Sequence, residues 1–150
     1  MIYDRTAADV ELAKSIRSNK VQNSISLTDE DVTALERGTL TINTLNRIEE
    51  KQAELKTLIN NEGYYNINIS NKFWSYNDIF AAEDLKRIIN NDNILKNAFF
   101  VYLSTPQTPN AKYDYEVLNA IEEILYDLDV MINDVKSNYK ECGAFECGEE

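Results

Sequence analysis

The chain contains no histidine among its 150 residues and has only four glycines and two prolines. Without an imidazole, the chain cannot form a Ser-His-Asp triad or a Cys-His pair, and it has no histidine for general acid–base catalysis. Only Gly143 and Gly148 lie close together, and no predicted strand precedes them, so the sequence offers no glycine-rich phosphate loop. The common catalytic and nucleotide-binding motifs are therefore missing.

Cysteine is equally scarce, since the only two, Cys142 and Cys147, lie in the terminal stretch KECGAFECGEE. Their spacing suits half of a tetrahedral zinc site, but the chain supplies no further soft ligands. A metal site shared between two subunits is one alternative. A Cys142–Cys147 disulfide is another, because Gly143 helps the chain to turn. Free thiols in a short terminal tail, residues 140–150, are the simplest interpretation, and we expect no cofactor.

Basic residues are few: 15 lysines and arginines stand against 26 acidic residues, a net charge of -11. The excess lies in residues 76–150, which hold 15 of the acidic and 6 of the basic side chains. Such a chain repels phosphate backbones, so nucleic acid is a poor partner. The longest apolar run, residues 98–103, is too short for membrane insertion. The first residues lack a signal-peptide pattern, which predicts synthesis in the cytoplasm.

Apolar residues recur at helical spacing along most of the chain and predict a single all-α domain over residues 1–150. We predict a small bundle of three long amphipathic helices at about 40–62, 81–103 and 114–139, preceded by shorter N-terminal helices. Either Asp4 or Thr6 is the candidate N-cap of the first helix, Thr28 is that of the second, and Gly38 is a candidate helix end. Residues 64–76 lack the helical pattern and predict an extended aromatic arm.

The last predicted helix carries seven acidic residues and no basic residue between Asp114 and Asp134. A solvated outer face is the simplest interpretation. The alternative is a docking surface for a basic partner, with Glu122, Glu123 and Asp127 as candidates. Acid pairs that could serve catalysis also occur, namely Glu122 with Asp127 and Asp78 with Asp84. A raised pKa would require an apolar pocket that the sequence does not show, so we expect no enzyme.

The arm carries a cluster of aromatic residues, of which Tyr64, Tyr65, Trp74 and Tyr76 are candidate partner-binding residues. Rigid aromatic side chains make good anchors for proteins and for sugars. The alternative is that the rings hold the arm on the helices.

Four segments occur in a fixed order: DRTAADV at 4–10, LERGTLTINTLNRIEEKQAEL at 35–55, FWSYNDIFAAEDLKRIINN at 73–91 and NAIEEILYDLDVMINDVKSNY at 119–139. This order resembles a group of short helical proteins and domains from the tail and baseplate gene region of phages and prophages of Firmicutes. The resemblance implies a non-enzymatic virion component or accessory protein of a phage tail or phage-tail-like particle. It implies synthesis in the bacterial cytoplasm, a place in the virion tail, other tail or baseplate proteins as partners, and a homo-oligomer.

The sequence is also compatible with two other functions. The chain could be a cell-surface glycan or receptor-binding module that uses Trp74, or a non-virion cytoplasmic assembly or anti-defence factor that uses its acidic last helix. The charged residues inside the shared segments have a structural interpretation. We predict that Arg47, Glu49, Asp78 and Arg87 form caps and buried or half-buried ion pairs that set the helix registry.

Overall fold

A computed structural model of the chain describes residues 1–61 and 66–142, without the side chains of residues 139–142. Within these residues it contains five α-helices and no β-strand. The helices are α1 (Ala7–Ile16), α2 (Asp29–Gly38), α3 (Ile42–Asn61), α4 (Ala82–Ala98) and α5 (Tyr115–Cys142). The predicted all-α class is confirmed for the part of the chain that the structure describes.

The first two helices begin at the predicted caps. The Thr6 hydroxyl accepts a hydrogen bond from the Asp9 N–H, and the Asp9 carboxylate accepts one from the Thr6 N–H. Thr28 and Asp31 repeat this capping box at the start of α2. Because both boxes lie within four consecutive residues, they require no tertiary contact to form. A π-helical turn, Arg17–Val21, continues α1.

Helices α1 and α2 pack as a hairpin around Gly38. A Cβ atom on Gly38 would lie 2.1 Å from the Asp9 carbonyl oxygen and 2.4 Å from the Ala13 Cβ. Both distances are far below van der Waals contact, so no larger residue fits without separating the helices. Gly38 ends α2, as predicted, and it also permits the close approach of α1.

The three longer helices surround one apolar core, in which α3, α4 and α5 each contact the other two. Full burial of one aliphatic side chain stabilises the fold by about 1.5–3 kcal/mol. The most deeply buried members of this core are Ile48, Leu55, Ile59, Ile88, Leu95, Ile121, Ile124, Leu125, Leu128 and Ile132.

Two predicted helix ends need correction. The second of the three predicted long helices, placed at about 81–103, ends at Ala98. Six consecutive apolar residues cannot all lie on one face of a helix. The backbone becomes extended at Phe99, which packs against the core, whereas Phe100 and Leu103 are exposed. At the other end of the chain, α5 continues to Cys142, so the predicted tail at residues 140–150 begins inside this helix.

Residues 66–81 connect α3 to α4 without helix or strand. Asn46 on α3 holds this connection at Trp74, because its side-chain amide accepts from the Trp74 N–H at 2.7 Å and donates to the Trp74 carbonyl at 3.0 Å. The Trp74 side chain lies in the core and is 2% exposed. None of the described helices has both the length and the apolar character needed to cross a bilayer.

We expect Gly38→Ala to lower the free energy of unfolding by about 1–3 kcal/mol, because the added methyl group overpacks the α1–α2 contact. Denaturant-induced unfolding followed by circular dichroism measures this change. Ser15→Ala, which also places an alanine on the hairpin but at an exposed position, is the control. If Gly38→Ala is as stable as the parent chain, the helices are not in the contact described above.

Candidate functional site

The carboxylate of Glu49 on α3 is 2% exposed and accepts hydrogen bonds from five N–H groups. Two come from the Arg87 guanidinium on α4, at 2.5 and 2.9 Å. The others come from the Trp74 indole, the Lys72 backbone and the Asn71 side chain. The predicted structural role of Glu49 and Arg87 is confirmed: this buried ion pair ties α4 and the connection to α3.

One turn further along α3, Gln52 is fully buried and hydrogen-bonded at both ends of its amide. Its nitrogen donates to the Ile88 carbonyl at 2.9 Å and to the Asp92 carboxyl at 2.7 Å, and its oxygen accepts from Asn91 at 2.9 Å. Asn91 also donates to the Ser70 carbonyl at 2.8 Å. Gln52 and Asp92 interrupt the apolar stripes of α3 and α4 because they bond to each other across the helix interface.

Asp92 differs from the other buried acids because it forms no ion pair within the described part of the chain. Its side chain is completely buried, and its Oδ2 has no hydrogen-bond partner among the described residues. Burial raises the pKa of the Asp92 carboxyl well above its usual range; the charge of Glu49 acts in the same direction, and the hydrogen bond from Gln52 opposes it. In the folded chain Asp92 therefore keeps its proton to a higher pH than an exposed aspartate does.

A second buried cluster surrounds Glu122 on α5. Arg5 and Arg47 each place an Nη2 atom 2.8 Å from the Glu122 Oε1, and the Ile2 N–H donates to the Oε2. The side chains of Arg5 and Glu122 are fully buried. Asn119, one turn earlier on α5, accepts from the Arg5 N–H at 3.1 Å and donates to the Arg5 carbonyl at 2.9 Å. These contacts attach the N-terminal segment to α3 and α5.

The burial of Glu122 and Trp74 corrects two of the sequence predictions. Glu122 was placed on the outer face of the last helix, as solvated or as a candidate for docking, but it is 0% exposed and its charge is matched by two arginines. Trp74 was predicted to be a candidate binding residue, but its ring lies in the core and its N–H bonds to Glu49. Neither side chain can meet a partner or a glycan, so the glycan-binding hypothesis loses its central residue.

The other candidates lie in different places. Tyr76 is 95% exposed, and Glu123 and Asp127 are half-buried on α5. Tyr64, Tyr65 and Cys147 lie outside the described residues, as does the side chain of Cys142. The predictions of a disulfide and of a shared metal site on the cysteines therefore stay predictions.

The considered catalytic acid pairs are engaged in local structure. The Glu122 carboxylate pairs with Arg5 and Arg47. The Asp78 carboxylate accepts from the Ser75 hydroxyl and the Ser75 N–H, each at 2.7 Å, and it pairs with Lys72 at 3.0 Å. The hydroxyl, the N–H and the ammonium together lower the pKa of Asp78 to about 2. Asp84 accepts from the Ala81 N–H at 3.0 Å and thereby caps α4.

Residues 72–79 form an exposed loop with a fixed backbone, which we call the aromatic loop. Three of its large apolar side chains point to solvent: Phe73 is 75%, Tyr76 95% and Ile79 86% exposed. Phe73 belongs to the aromatic cluster that the sequence indicated, whereas Ile79 was not among the predicted candidates. No local signal marked Ile79, because its exposure depends on the burial of Trp74, which the tertiary structure decides.

A cavity of about 230 Å³ lies where the hairpin meets the first turns of α4 and α5. Its wall is mainly apolar and includes Leu40, Phe80 and Val117. Arg37 and Lys112 also line it, but Arg37 pairs with Asp4 and Asp9, and Lys112 pairs with Asp114. The cavity thus offers apolar contact, and its exposed cations are already paired within the chain.

Comparisons with protein-family models, with curated proteins and with solved structures find no match to this chain. The phage-tail resemblance therefore rests on the four sequence segments alone.

We expect Glu122→Gln to lower the free energy of unfolding by about 3 kcal/mol or more, because it leaves Arg5 buried without a counter-charge. The control is Glu123→Gln, the same substitution one residue later on the half-buried side of α5. It should change stability by no more than about 0.5 kcal/mol. Equal effects in chemical denaturation would contradict the burial of Glu122.

We expect Asp92→Asn to be more stable than the parent chain, by a free energy of unfolding that grows as the pH rises above the ordinary pKa of an aspartate. In the folded state Asp92 keeps its proton, whereas the unfolded chain releases it, so the parent chain loses stability between the unfolded and the raised folded pKa. Asparagine is neutral in both states and removes this loss.

The measurement is the difference in unfolding free energy between the variant and the parent chain at about pH 4 and about pH 7. This difference should grow by about 1 kcal/mol or more in favour of the variant. Asp29→Asn, at the exposed start of α2, should show no such gain, because an ionised carboxylate there favours the helix dipole. A variant that becomes relatively weaker with rising pH would mean that Asp92 is ionised in the folded chain.

Proposed function

We propose that this chain is a non-enzymatic docking protein, a structural or accessory component of a phage tail, baseplate or phage-tail-like particle. The order of the four sequence segments supports the particle assignment. The exposed apolar side chains of the aromatic loop are the observation that supports the docking function. In this proposal the three long helices form a bundle that acts as a rigid scaffold, and the loop is the surface it presents.

The contacts that the buried carboxylates of Glu49 and Glu122 make within the fold support a role without catalysis. The carboxylates of Glu49 and Glu122 face arginines and accept hydrogen bonds from several elements of the same chain. Each of these contacts holds one segment against another. The chemistry of both clusters is thus accounted for by the fold, and it leaves the protein surface as the part available for function.

The anchoring of the aromatic loop makes it suited to binding. Trp74 is inserted in the core, and the Lys72 ammonium lies 3.9 Å from the centre of its ring. Asp78 closes the loop onto Ser75 and Lys72. A backbone held in this way loses little conformational freedom when a partner binds, so exposed aromatic groups on it give more net affinity than on a mobile segment.

The proposed partner of this loop is a neighbouring protein of the tail tip or baseplate with an apolar surface. Exposed Phe73, Tyr76 and Ile79 each leave apolar area in water that a complementary protein surface would cover. Aromatic residues of this kind commonly dominate the energetics of protein interfaces. The homo-oligomer expected from the resemblance is part of the same proposal.

Mass spectrometry of purified particles tests the assignment, and we expect the chain as a stoichiometric component. Tyr76→Ala with Ile79→Ala should reduce its incorporation on the order of tenfold or more, because truncated interface anchors typically cost 2 kcal/mol or more. Leu12→Ala, at an exposed apolar position on α1, is the matched control and should be incorporated normally.

Absence of the parent chain from particles, together with abundance in infected cells, would contradict this function and favour the cytoplasmic factor. Normal incorporation of the loop variant would instead mean that another surface docks. Circular dichroism of both variants establishes that the fold is intact before incorporation is compared.

A further inference from the structure

Along the outer side of α5, tyrosine rings lie beside three carboxylates that form no ion pair with the other described residues. Glu123, Asp127 and Asp134 follow one another at intervals of four and seven residues and so share a face of the helix, over roughly 16 Å. Three tyrosines flank them. We name this set the tyrosine–carboxylate face; its members are Tyr3, Tyr102, Glu123, Tyr126, Asp127 and Asp134.

The tyrosines are brought to α5 from distant parts of the chain. The ring of Tyr3 lies 5.2 Å from that of Tyr126, centre to centre. The Tyr102 hydroxyl donates to the Asp134 carboxylate at 3.0 Å. The exposed fractions of Tyr3, Tyr102 and Tyr126 are 36%, 36% and 43%. The rings are therefore fixed by contacts within the chain and still present part of their surface to solvent.

Within the part of the chain that the structure describes, no cation compensates the charge of these three carboxylates. Asp127 accepts from the Thr105 hydroxyl at 2.5 Å, and Asp134 accepts from Tyr102; both donors are neutral. Among the ion pairs that the described residues form with one another, none includes Glu123, Asp127 or Asp134. Asp129, on another face of α5, does pair with Lys51 at 3.1 Å.

The pKa values of the tyrosines agree with a negative potential at this face. The pKa of Tyr102 is raised, first by its hydrogen bond to Asp134 and then by burial and by nearby charges that include Asp127. The pKa of Tyr3 is raised by partial burial, then by Tyr126 and Glu123.

We propose that the tyrosine–carboxylate face binds a basic, arginine-containing segment of a partner protein. A guanidinium can pair with a carboxylate and lie over a tyrosine ring at the same time, which an acidic or neutral segment cannot do. The loop that carries Tyr102 also exposes Phe100 and Leu103, which adds apolar contact for the same segment.

This inference deepens the proposed docking function by giving the chemistry of a second partner surface, distinct from the aromatic loop. Because the face is negatively charged, the complementary partner is a basic protein segment. The face repels anionic lipids and nucleic acids, and the acidic character of the whole chain steers cationic segments toward it at low salt.

The test uses the purified chain and a defined probe, the peptide acetyl-(Arg-Leu-Ala)₄-amide, with acetyl-(Glu-Leu-Ala)₄-amide as the probe control. Calorimetry at low and high salt measures the dissociation constant. We expect binding of the arginine peptide only, weakening as salt rises. The triple variant Glu123→Gln, Asp127→Asn, Asp134→Asn should weaken binding on the order of tenfold.

A matched triple variant on α2 separates this site from general attraction. Asp29→Asn, Glu30→Gln and Glu36→Gln change the net charge by the same amount at exposed or half-buried positions away from α5. This variant should bind the arginine peptide nearly as well as the parent chain. Equal weakening in both triple variants would overturn the proposal, because it would mean that net charge alone attracts the peptide.

Tyr126→Leu tests the ring and keeps an apolar side chain at the position. We expect it to weaken arginine-peptide binding several-fold, and unchanged binding would overturn the assignment of the ring to the site. The peptide assay needs no particle, so its result is independent of the particle assignment. Absence of the chain from particles would refute the proposed function and leave the peptide result standing. Failure of the peptide to bind would overturn this inference and leave the particle assignment standing.

Discussion

The buried pairing of Glu49 with Arg87 is the constraint on which the arrangement of the larger helices depends. A carboxylate removed from water is costly unless charge and hydrogen bonds replace its hydration. Glu49 meets this requirement only when α4 supplies Arg87 and the connecting segment supplies Trp74, Lys72 and Asn71 together. A change in the register of any one of these elements would leave the charge unmatched, so the carboxylate selects a single packing of all three.

The buried Glu49 carboxylate also explains why the aromatic loop has a fixed backbone and yet exposes apolar side chains. Trp74 must point inward to reach Glu49 and the core, and Asn46 fixes its backbone on both sides. With one ring held inside, the flanking side chains at positions 73, 76 and 79 are directed outward. The proposed docking surface thus derives its rigidity from the buried ion pair beneath it.

Helix α5 shows how neighbouring residues of one type can serve opposite purposes. Glu122 faces inward and joins the N-terminal segment to α3 through two arginines, whereas Glu123 faces outward among tyrosines. Successive residues of a helix differ by about 100° in direction, so one step along the chain separates a structural charge from a charge available to a partner. The outer charges lie on the side of α5 that faces away from the apolar core.

Local chemistry was enough to predict much of the fold, because helix periodicity and capping involve residues only a few positions apart. The sequence therefore determined the all-α class, the cap at Thr28 and the end of α2 at Gly38, and it narrowed the cap of α1 to Asp4 or Thr6. Only the tertiary structure decided that Glu122 and Trp74 are buried and that α4 stops before Phe99. Those outcomes depend on partners far away in the chain, such as Arg5 for Glu122 and Glu49 for Trp74, and no local pattern specifies which distant side chain will satisfy a buried charge.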